Sequence, residues 1–165
     1  MGKILVVDIE SCTGCRVCET VCSLVHFGEC NPTRSRIKVL RYEKFGEYYI
    51  NVPVVCQQCE TPMCMQVCPV NAISEDPSTG AYIVNAEVCL GCRLCTIACP
   101  VGAIEVDPYS KTALKCDLCN GDPLCAKLCA HGAIRYVEEE KVGFVERRES
   151  IKKLETVLKI VEGTK

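Results

Sequence analysis

Cysteine is the residue type in this sequence whose number and spacing could support chemistry. Sixteen of the seventeen cysteines among 165 residues fall into four groups of four. The groups are Cys12, Cys15, Cys18 and Cys22; Cys56, Cys59, Cys64 and Cys68; Cys89, Cys92, Cys95 and Cys99; and Cys116, Cys119, Cys125 and Cys129. Cysteine side chains bind zinc, hold iron–sulfur clusters or pair as disulfides, and the spacing within the groups discriminates among these.

The spacing favours 4Fe–4S clusters. The third group reads Cys89-x2-Cys92-x2-Cys95-x3-Cys99-Pro100, the run that holds such clusters in bacterial two-cluster ferredoxins. In every group the last two cysteines are four residues apart, about one helical turn, so they share a helix face. The third cysteine can then bind one cluster while the fourth reaches a neighbouring one. Exchange of fourth cysteines among four groups predicts four clusters in two pairs, and the spacing leaves open which groups form each pair.

The first three cysteines of each group define a cysteine loop, which must bend around its cluster. Gly14 and Gly91 lie inside the first and third loops, where a positive φ and a close backbone approach are expected. The second and fourth loops are longer, and each carries a proline, Pro62 or Pro123. We expect these longer loops to form constrained turns.

Zinc and disulfides explain the pattern less well. Zinc prefers four ligands at the corners of one tetrahedron, whereas the x2-x2-x3 spacing gives three close thiols and one displaced thiol. Disulfide scaffolds occur in secreted chains, but residues 1–8 carry no secretion signal and the number of cysteines is odd. Redox chemistry of the thioredoxin kind would use one CxxC motif, not four.

Composition and charge set the expected stability and partners. The hydrophobic content of 48% falls to about 38% without the 17 cysteines. We therefore expect the clusters to fill much of the interior, and the apo-protein not to fold stably. The formal net charge is −2, and four oxidised clusters would bring it to about −10. This charge argues against a nucleic-acid partner and favours docking onto basic patches of redox proteins.

Short elements are predicted to position the cysteine groups. We expect a strand at residues 3–9, a helix at 18–27 and a β-hairpin formed by residues 36–42 and 47–54. A second hairpin is expected between residues 71 and 84. The sequences Pro-Val-Asn-Ala-Ile, Pro-Val-Gly-Ala-Ile and Ala-His-Gly-Ala-Ile follow the last three groups. They mark an internal repeat of cysteine loop, short helix and strand.

Residues outside the four groups have simpler predicted roles. His26 is interpreted as a packing residue, and Cys30, the odd cysteine, as a buried structural thiol. The basic stretch at residues 34–41 is either the solvated face of a strand or a docking edge for an acidic partner.

The C-terminal residues 138–165 are predicted to contain an amphipathic helix. Apolar side chains recur there at helical spacing, at Ile151, Leu154, Val157, Leu158 and Val161. This stripe either packs on the rest of the chain or anchors a partner subunit, and its spacing fits both. The sequence has no stretch apolar enough to span a membrane, so we expect a soluble, cytoplasmic protein.

The four motifs together resemble those of the four-cluster iron–sulfur subunits that serve molybdopterin and tungstopterin oxidoreductases. Two stretches are more particular, Cys12-Thr-Gly-Cys-Arg-Val-Cys-Glu-Thr-Val-Cys22 and Lys115-Cys-Asp-Leu-Cys-Asn-Gly-Asp-Pro-Leu-Cys125. With the intervening Asn31-Pro-Thr-Arg-Ser-Arg-Ile-Lys38, they are most similar to the small ferredoxin-like subunits associated with tungsten aldehyde oxidoreductases. The resemblance covers roughly residues 3–137.

The resemblance implies which cysteines share a cluster, because in that family the second group pairs with the third and the first with the fourth. Four sites follow: site 1 with Cys12, Cys15, Cys18 and Cys129; site 2 with Cys116, Cys119, Cys125 and Cys22; site 3 with Cys56, Cys59, Cys64 and Cys99; site 4 with Cys89, Cys92, Cys95 and Cys68. The sequence departs from the family after Cys129, where Ala130 and His131 stand in place of the usual proline.

The resemblance also implies an α+β fold of tandem bacterial-type ferredoxin modules, each holding two 4Fe–4S clusters. The central module is expected at residues 56–107, and the second module at residues 1–55 together with 108–137. A β-hairpin insertion and the C-terminal helix complete this arrangement.

The implied function is electron transfer without catalysis on a substrate, in an anaerobic setting. The expected partners are a catalytic large subunit that carries a tungsten or molybdenum pterin, and a ferredoxin or another redox subunit. Three alternatives stay open: a free-standing polyferredoxin; the iron–sulfur subunit of a formate dehydrogenase, hydrogenase or DMSO reductase-type complex; and a zinc protein with a maturation or structural role.

Overall fold

The fold is a mixture of short helices and short antiparallel strand pairs. A computed structural model of the chain describes residues 2–46 and 48–142. The predicted C-terminal amphipathic helix lies outside the described residues, apart from its first few positions. No helix in the described part of the chain is long and apolar enough to cross a membrane.

The described elements include four α-helices, eight strands and three short 3-10 segments. The helices are α1 (Val17–Phe27), α2 (Met63–Gln66), α3 (Leu94–Ala98) and α4 (Leu124–Lys127). The strands are β1 (Lys3–Val7), β2 (Lys38–Lys44), β3 (Tyr48–Val54), β4 (Ile73–Glu75), β5 (Tyr82–Val84), β6 (Ile104–Val106), β7 (Ala113–Lys115) and β8 (Ile134–Glu138). The 3-10 segments are Pro32–Arg34, Leu118–Gly121 and Glu139–Lys141.

Each described strand pairs antiparallel with one partner. The pairs are β1 with β8, β2 with β3, β4 with β5, and β6 with β7. Both predicted hairpins are confirmed, because β2–β3 and β4–β5 lie where the sequence places them. The β1–β8 pair brings Val7 opposite Ile134 and so closes the N-terminal strand onto the end of the described chain.

Most of the helices are shorter than predicted. The spacing predicts that one helix carries both the third and the fourth cysteine of each group. Only α1 contains both its third and fourth cysteine, Cys18 and Cys22. Cys99 follows α3 in an extended conformation with φ −73° and ψ 115°, as expected of a residue before proline. The segment after α4 also leaves the helix before Cys129, although Ala130 follows there, so proline is not the sole cause.

Two apolar clusters form the interior. One contains Leu5, Val21, Ile37, Val55, Ala81, Leu118, Cys125 and Ile134. The other contains Cys64, Ile73, Cys95, Ile104 and Ala113. The first draws almost entirely on the two ends of the described chain and the second on its middle. Cysteines belong to both clusters, so the thiols are part of the interior.

The basic stretch at residues 34–41 mostly joins distant parts of the chain, so it is not simply the solvated face of a strand. Its use as a docking edge stays a prediction. Arg34 donates from Nη2 and Nε to Oδ2 of the fully buried Asp107, at 2.8 and 3.2 Å. Lys38 pairs with Glu105 at 3.2 Å. These ion pairs tie the segment after α1 to the β6 region, which is about seventy residues further along the chain.

The β2–β3 hairpin braces the first cysteine loop and α1. The buried Glu19 of α1 accepts a hydrogen bond from the Val39 backbone N–H at 2.8 Å. The buried Asn51 side chain lies so close to Gly14 that a Cβ there would be 2.5 Å from its Oδ1. The hairpin therefore fixes both the loop and the helix that carry the first cysteine group.

Candidate metal centres

Four cavities of similar size are lined by four cysteines apiece. Each cavity takes three cysteines from one group and the fourth from another group. The sets are Cys12, Cys15, Cys18 and Cys129 at site 1; Cys116, Cys119, Cys125 and Cys22 at site 2; Cys56, Cys59, Cys64 and Cys99 at site 3; and Cys89, Cys92, Cys95 and Cys68 at site 4. The structure thus brings together the same sets that the family resemblance implies.

The cysteine loops of sites 1 and 4 have the same backbone path. Gly14 and Arg16 have φ values of 71° and 59°, and the corresponding Gly91 and Arg93 have 64° and 67°. The positive φ predicted for both glycines is confirmed. At Gly91 a Cβ would be 2.1 Å from the carbonyl oxygen of Lys111, so the loop packs too closely for any larger residue.

The longer loops of sites 2 and 3 reach the left-handed region mostly with residues other than glycine. Leu118, Cys119 and Asn120 have φ values of 56°, 48° and 55° at site 2. Gln58 has φ 46° at site 3, and its side chain donates to the Cys116 carbonyl at 3.0 Å and accepts from the Tyr82 N–H at 3.1 Å. These tertiary hydrogen bonds help to hold a conformation that a non-glycine residue rarely adopts.

Backbone N–H groups point at several of the thiols. Ala72 donates to the Sγ of Cys68 at 3.2 Å, and Ala103 donates to that of Cys99 at 3.3 Å. Each donor lies four residues after its cysteine, within the repeated Ala-Ile sequence. Arg36 donates in the same way to Cys22, at 3.3 Å. Hydrogen bonds to cluster sulfurs tune reduction potential.

Burial disfavours the charged thiolate form of several cysteines and so raises their pKa. Burial, and then the Glu19 carboxylate, raise the pKa of Cys18 to about 12. Burial, and then the Cys22 thiol, raise the pKa of Cys125 to about 12. A metal cluster supplies the positive charge that keeps such thiols deprotonated. Four thiols around one cavity, most of them buried or partly buried, therefore fit a 4Fe–4S cluster.

Shared or consecutive segments of chain connect the four sites in the order 1, 2, 3 and 4, and we call this series the row of sites. Helix α1 carries Cys18 of site 1 and Cys22 of site 2, while α2 carries Cys64 of site 3 and leads into Cys68 of site 4. Sites 2 and 3 meet where the chain crosses between their cavities twice. Val55 lines site 2 and Cys56 lines site 3, and, in the opposite sense, Lys115 lines site 3 and Cys116 lines site 2.

The two ends of the row face solvent. Cys15 at site 1 and Cys92 at site 4 are exposed, whereas the other cysteines of the four groups are partly or fully buried. Around Cys92, the side chains of Leu90 and Ile97 are 67% and 81% exposed. Sites 2 and 3, in the middle of the row, have no exposed cysteine.

Two residues outside the groups differ from their predicted roles. Cys30 is exposed, so the prediction of a buried structural thiol is wrong. His26 packs as predicted, but its contact is with site 2: Nε2 lies 3.7 Å from the Sγ of Cys119 and 3.5 Å from Oδ1 of Asp117. Burial, and then the nearby Arg36 charge, lower the pKa of His26, which favours a neutral ring.

Comparison with known proteins gives the family. Residues 47–140 match the model of the 4Fe–4S dicluster domain. This chain belongs to that family. Membership confirms that it is an iron–sulfur electron-transfer protein that binds more than one 4Fe–4S cluster.

Three relatives illustrate the range of the family. The chain is 40% identical over 136 residues to the aliphatic sulfonate oxidoreductase, polyferredoxin-like subunit, of Pyrococcus furiosus, covering 81% of this chain and 76% of that one. It is 38% identical over 152 residues to the uncharacterized ferredoxin MJ0265 of Methanocaldococcus jannaschii, covering 92% and 81%. It is 33% identical over 130 residues to the NADH-dependent phenylglyoxylate dehydrogenase subunit beta of Aromatoleum evansii, covering 79% of this chain and 29% of that protein.

Proposed function

We propose that the chain holds four 4Fe–4S clusters, one at each site, and transfers electrons along them. The observation that carries this proposal is that four cavities of similar size are each lined by four cysteines from two groups. A 4Fe–4S cluster supplies a reversible one-electron carrier. The protein's own part is to bind, separate and electrostatically tune the four carriers.

The row of sites supports a path that enters at one end and leaves at the other. The exposed Cys15 and Cys92 lie at its opposite ends. Sites 1 and 2 share α1, and the segment of α2 and the residues after it connects sites 3 and 4, which supports two tandem modules. In our proposal these are the modules at residues 56–107 and at 1–55 with 108–137. The two apolar clusters of the interior follow nearly the same division.

We further propose that the chain is a non-catalytic subunit that links a catalytic oxidoreductase subunit to a ferredoxin or another redox protein. Its relatives in Pyrococcus and Aromatoleum are named as subunits of an oxidoreductase and a dehydrogenase. The finer proposal is a tungsten or molybdenum pterin partner of the aldehyde oxidoreductase type, which rests on the sequence resemblance. A cytoplasmic location stays a prediction.

A free-standing polyferredoxin is the second candidate function. The Methanocaldococcus relative is named as a ferredoxin, and the chain covers 81% of its length. In this case both exposed ends would serve transient partners, and no catalytic subunit would remain bound. A subunit of a formate dehydrogenase, hydrogenase or DMSO reductase-type complex is a variant of the first proposal with a different partner.

An anaerobic pull-down of the tagged full-length chain from its own host separates these candidates. Iron, sulfide, tungsten and molybdenum are measured in the purified material. We expect about sixteen iron and sixteen sulfide per chain, together with a large subunit that carries tungsten or molybdenum. A chain with iron and sulfide alone would support the free-standing carrier. A chain with zinc in place of iron would overturn the cluster proposal.

A further inference from the structure

The strand β7 ends in a lysine that is buried beside one of the proposed cluster sites. The side chain of Lys115 is 3% exposed. Within residues 2–46 and 48–142, it is the one cationic residue among the buried polar and charged residues. Burying an ammonium group is costly unless other groups compensate its charge. The groups around Lys115 therefore indicate which negative charge it stabilises.

The direct contacts of Lys115 are neutral. Its Nζ donates to the Tyr82 carbonyl at 2.7 Å, to Oε1 of Gln58 at 3.0 Å and to the Cys116 carbonyl at 3.3 Å. Among the residues that the structure describes, no carboxylate forms an ion pair with this ammonium. These three oxygens satisfy its hydrogen bonds but leave its charge without a neutralising partner.

Nζ of Lys115 also lies 5.5 Å from the centroid of the uncharged Tyr82 ring, and the side chain borders the cavity of site 3. Lys115 lines that cavity together with Cys56, Cys59, Cys64 and Cys99. A cluster held there by four thiolates carries a net negative charge. A cluster bound at site 3 would therefore neutralise the charge of the ammonium. The ammonium in turn would face a group whose charge changes by one on reduction.

Among the residues that the structure describes, no comparable cation lines the other three sites. Arg36 lines site 2 but forms an ion pair with Asp117. Arg16 lines site 1 with its side chain 53% exposed, and Arg93 lines site 4 on the surface. Water screens exposed charges strongly and buried ones much less. Site 3 is thus distinguished from the other sites by a buried cation without an opposing carboxylate.

We infer that Lys115 makes site 3 the most easily reduced of the four sites. This inference rests on the proposed function, since it assumes a 4Fe–4S cluster at each site. Reduction adds one negative charge to the cluster, and the buried ammonium stabilises that charge more than any exposed cation can. Because site 3 adjoins site 2, the first electron is expected to rest in the middle of the row, away from both exposed ends.

Redox titration followed by electron paramagnetic resonance tests this inference on the full-length chain, purified anaerobically. The signal of site 3 is first assigned with Cys99→Ser, which alters one ligand of that site. Lys115→Met removes the charge and keeps a long side chain. Lys115→Arg retains the charge, and Lys127→Met removes a lysine that is 56% exposed and paired with Asp122.

The expected result is confined to one cluster. Lys115→Met should lower the equilibrium constant for reduction of the site 3 cluster at least about tenfold. Its midpoint potential then falls by at least about 59 mV, the value for a one-electron couple. Lys115→Arg should shift the midpoint potential much less, and Lys127→Met should leave all four midpoints unchanged. A full set of clusters with unchanged midpoints in Lys115→Met, or a shift at a different site, would overturn the inference.

The unmodified protein gives a second test that does not depend on the stability of any Lys115 variant. The signal that Cys99→Ser alters must be the one that is reduced at the highest potential. If another cluster is reduced first, the inference is wrong even if Lys115→Met does not fold. Iron and sulfide analysis keeps the two proposals apart, because a chain without four clusters contradicts the proposed function, whereas four clusters in a different order contradict only the role of Lys115.

Discussion

At the scale of single residues, the cysteine loops depend on backbone conformations as much as on thiols. The loops at sites 1 and 4 each place a glycine and an arginine in the left-handed region. The glycines also meet neighbouring groups, Asn51 at Gly14 and Lys111 at Gly91. A residue with a Cβ would therefore disturb the loop in two ways, through backbone strain and through a clash.

Gly91→Ala is predicted to destabilise site 4 more than backbone strain alone explains. Its added Cβ would lie 2.1 Å from the Lys111 carbonyl oxygen, so the backbone must move. The matched control is Gly80→Ala, at φ 70° with open space around it, which should cost only the strain of about 1–2 kcal/mol. Iron content after anaerobic purification measures the difference. Equal iron loss in both variants would contradict a role for the close approach.

The exchange of cysteines between groups predicts the effect of Cys99→Ser. Cys99 lines the cavity of Cys56, Cys59 and Cys64, although it belongs to the same group as Cys95 and is the next cysteine in the sequence. The altered paramagnetic signal should therefore match the one altered by Cys56→Ser. If it matches the signal altered by Cys89→Ser, the ligand sets are wrong.

At the scale of elements, short helices and strand pairs hold the sites through a few long-range contacts. Among the described helices, only α1 contains both the third and the fourth cysteine of its group, Cys18 and Cys22. The other helices end before their fourth cysteine, and the following segment delivers that thiol to the neighbouring site. The ion pairs of Arg34 and Lys38 then connect the segment after α1 to the β6 region.

Arg34→Gln is predicted to loosen this connection. Arg34 forms two hydrogen bonds to the fully buried Asp107 and lies 3.8 Å from the centroid of the Phe27 ring. Its loss leaves a buried carboxylate with fewer donors. The matched control is Arg41→Gln, whose partner Glu43 is half exposed, as is typical of pairs that contribute little.

Thermal loss of cluster absorbance, measured anaerobically, compares the two arginine variants. We expect the midpoint to fall by several degrees for Arg34→Gln and by about 1 °C or less for Arg41→Gln. Equal midpoints would mean that the link between the two regions does not contribute to holding the clusters.

At the scale of the whole molecule, the clusters are expected to be part of the core. Cysteines belong to both apolar clusters of the interior, and among the described strands each pairs with one partner only. Two-stranded pairs are marginally stable by themselves. The protein should therefore depend on its metal centres for folding, as small metalloproteins do.

Removal of iron is predicted to unfold most of the chain. Circular dichroism and a dye that binds exposed apolar surface are measured before and after anaerobic chelation, with thiols kept reduced. We expect loss of the native spectrum and increased dye binding in the apo-protein. Anaerobic reconstitution with iron and sulfide should restore both, which separates unfolding from chemical damage. A native spectrum in the iron-free chain would contradict the prediction.

The sequence by itself determined the local parts of this protein. Spacing predicted the cofactor class, the two hairpins, α1 and the positive φ of Gly14 and Gly91, because these depend on residues a few positions apart. The tertiary structure decided which cysteines line one cavity, for example Cys129 with Cys12, since such pairs depend on packing across the whole chain. It also decided that Cys30 is exposed, that the basic stretch is used in internal ion pairs, and that Lys115 faces site 3. Burial and charge neutralisation arise only when distant segments meet, and no local pattern encodes them.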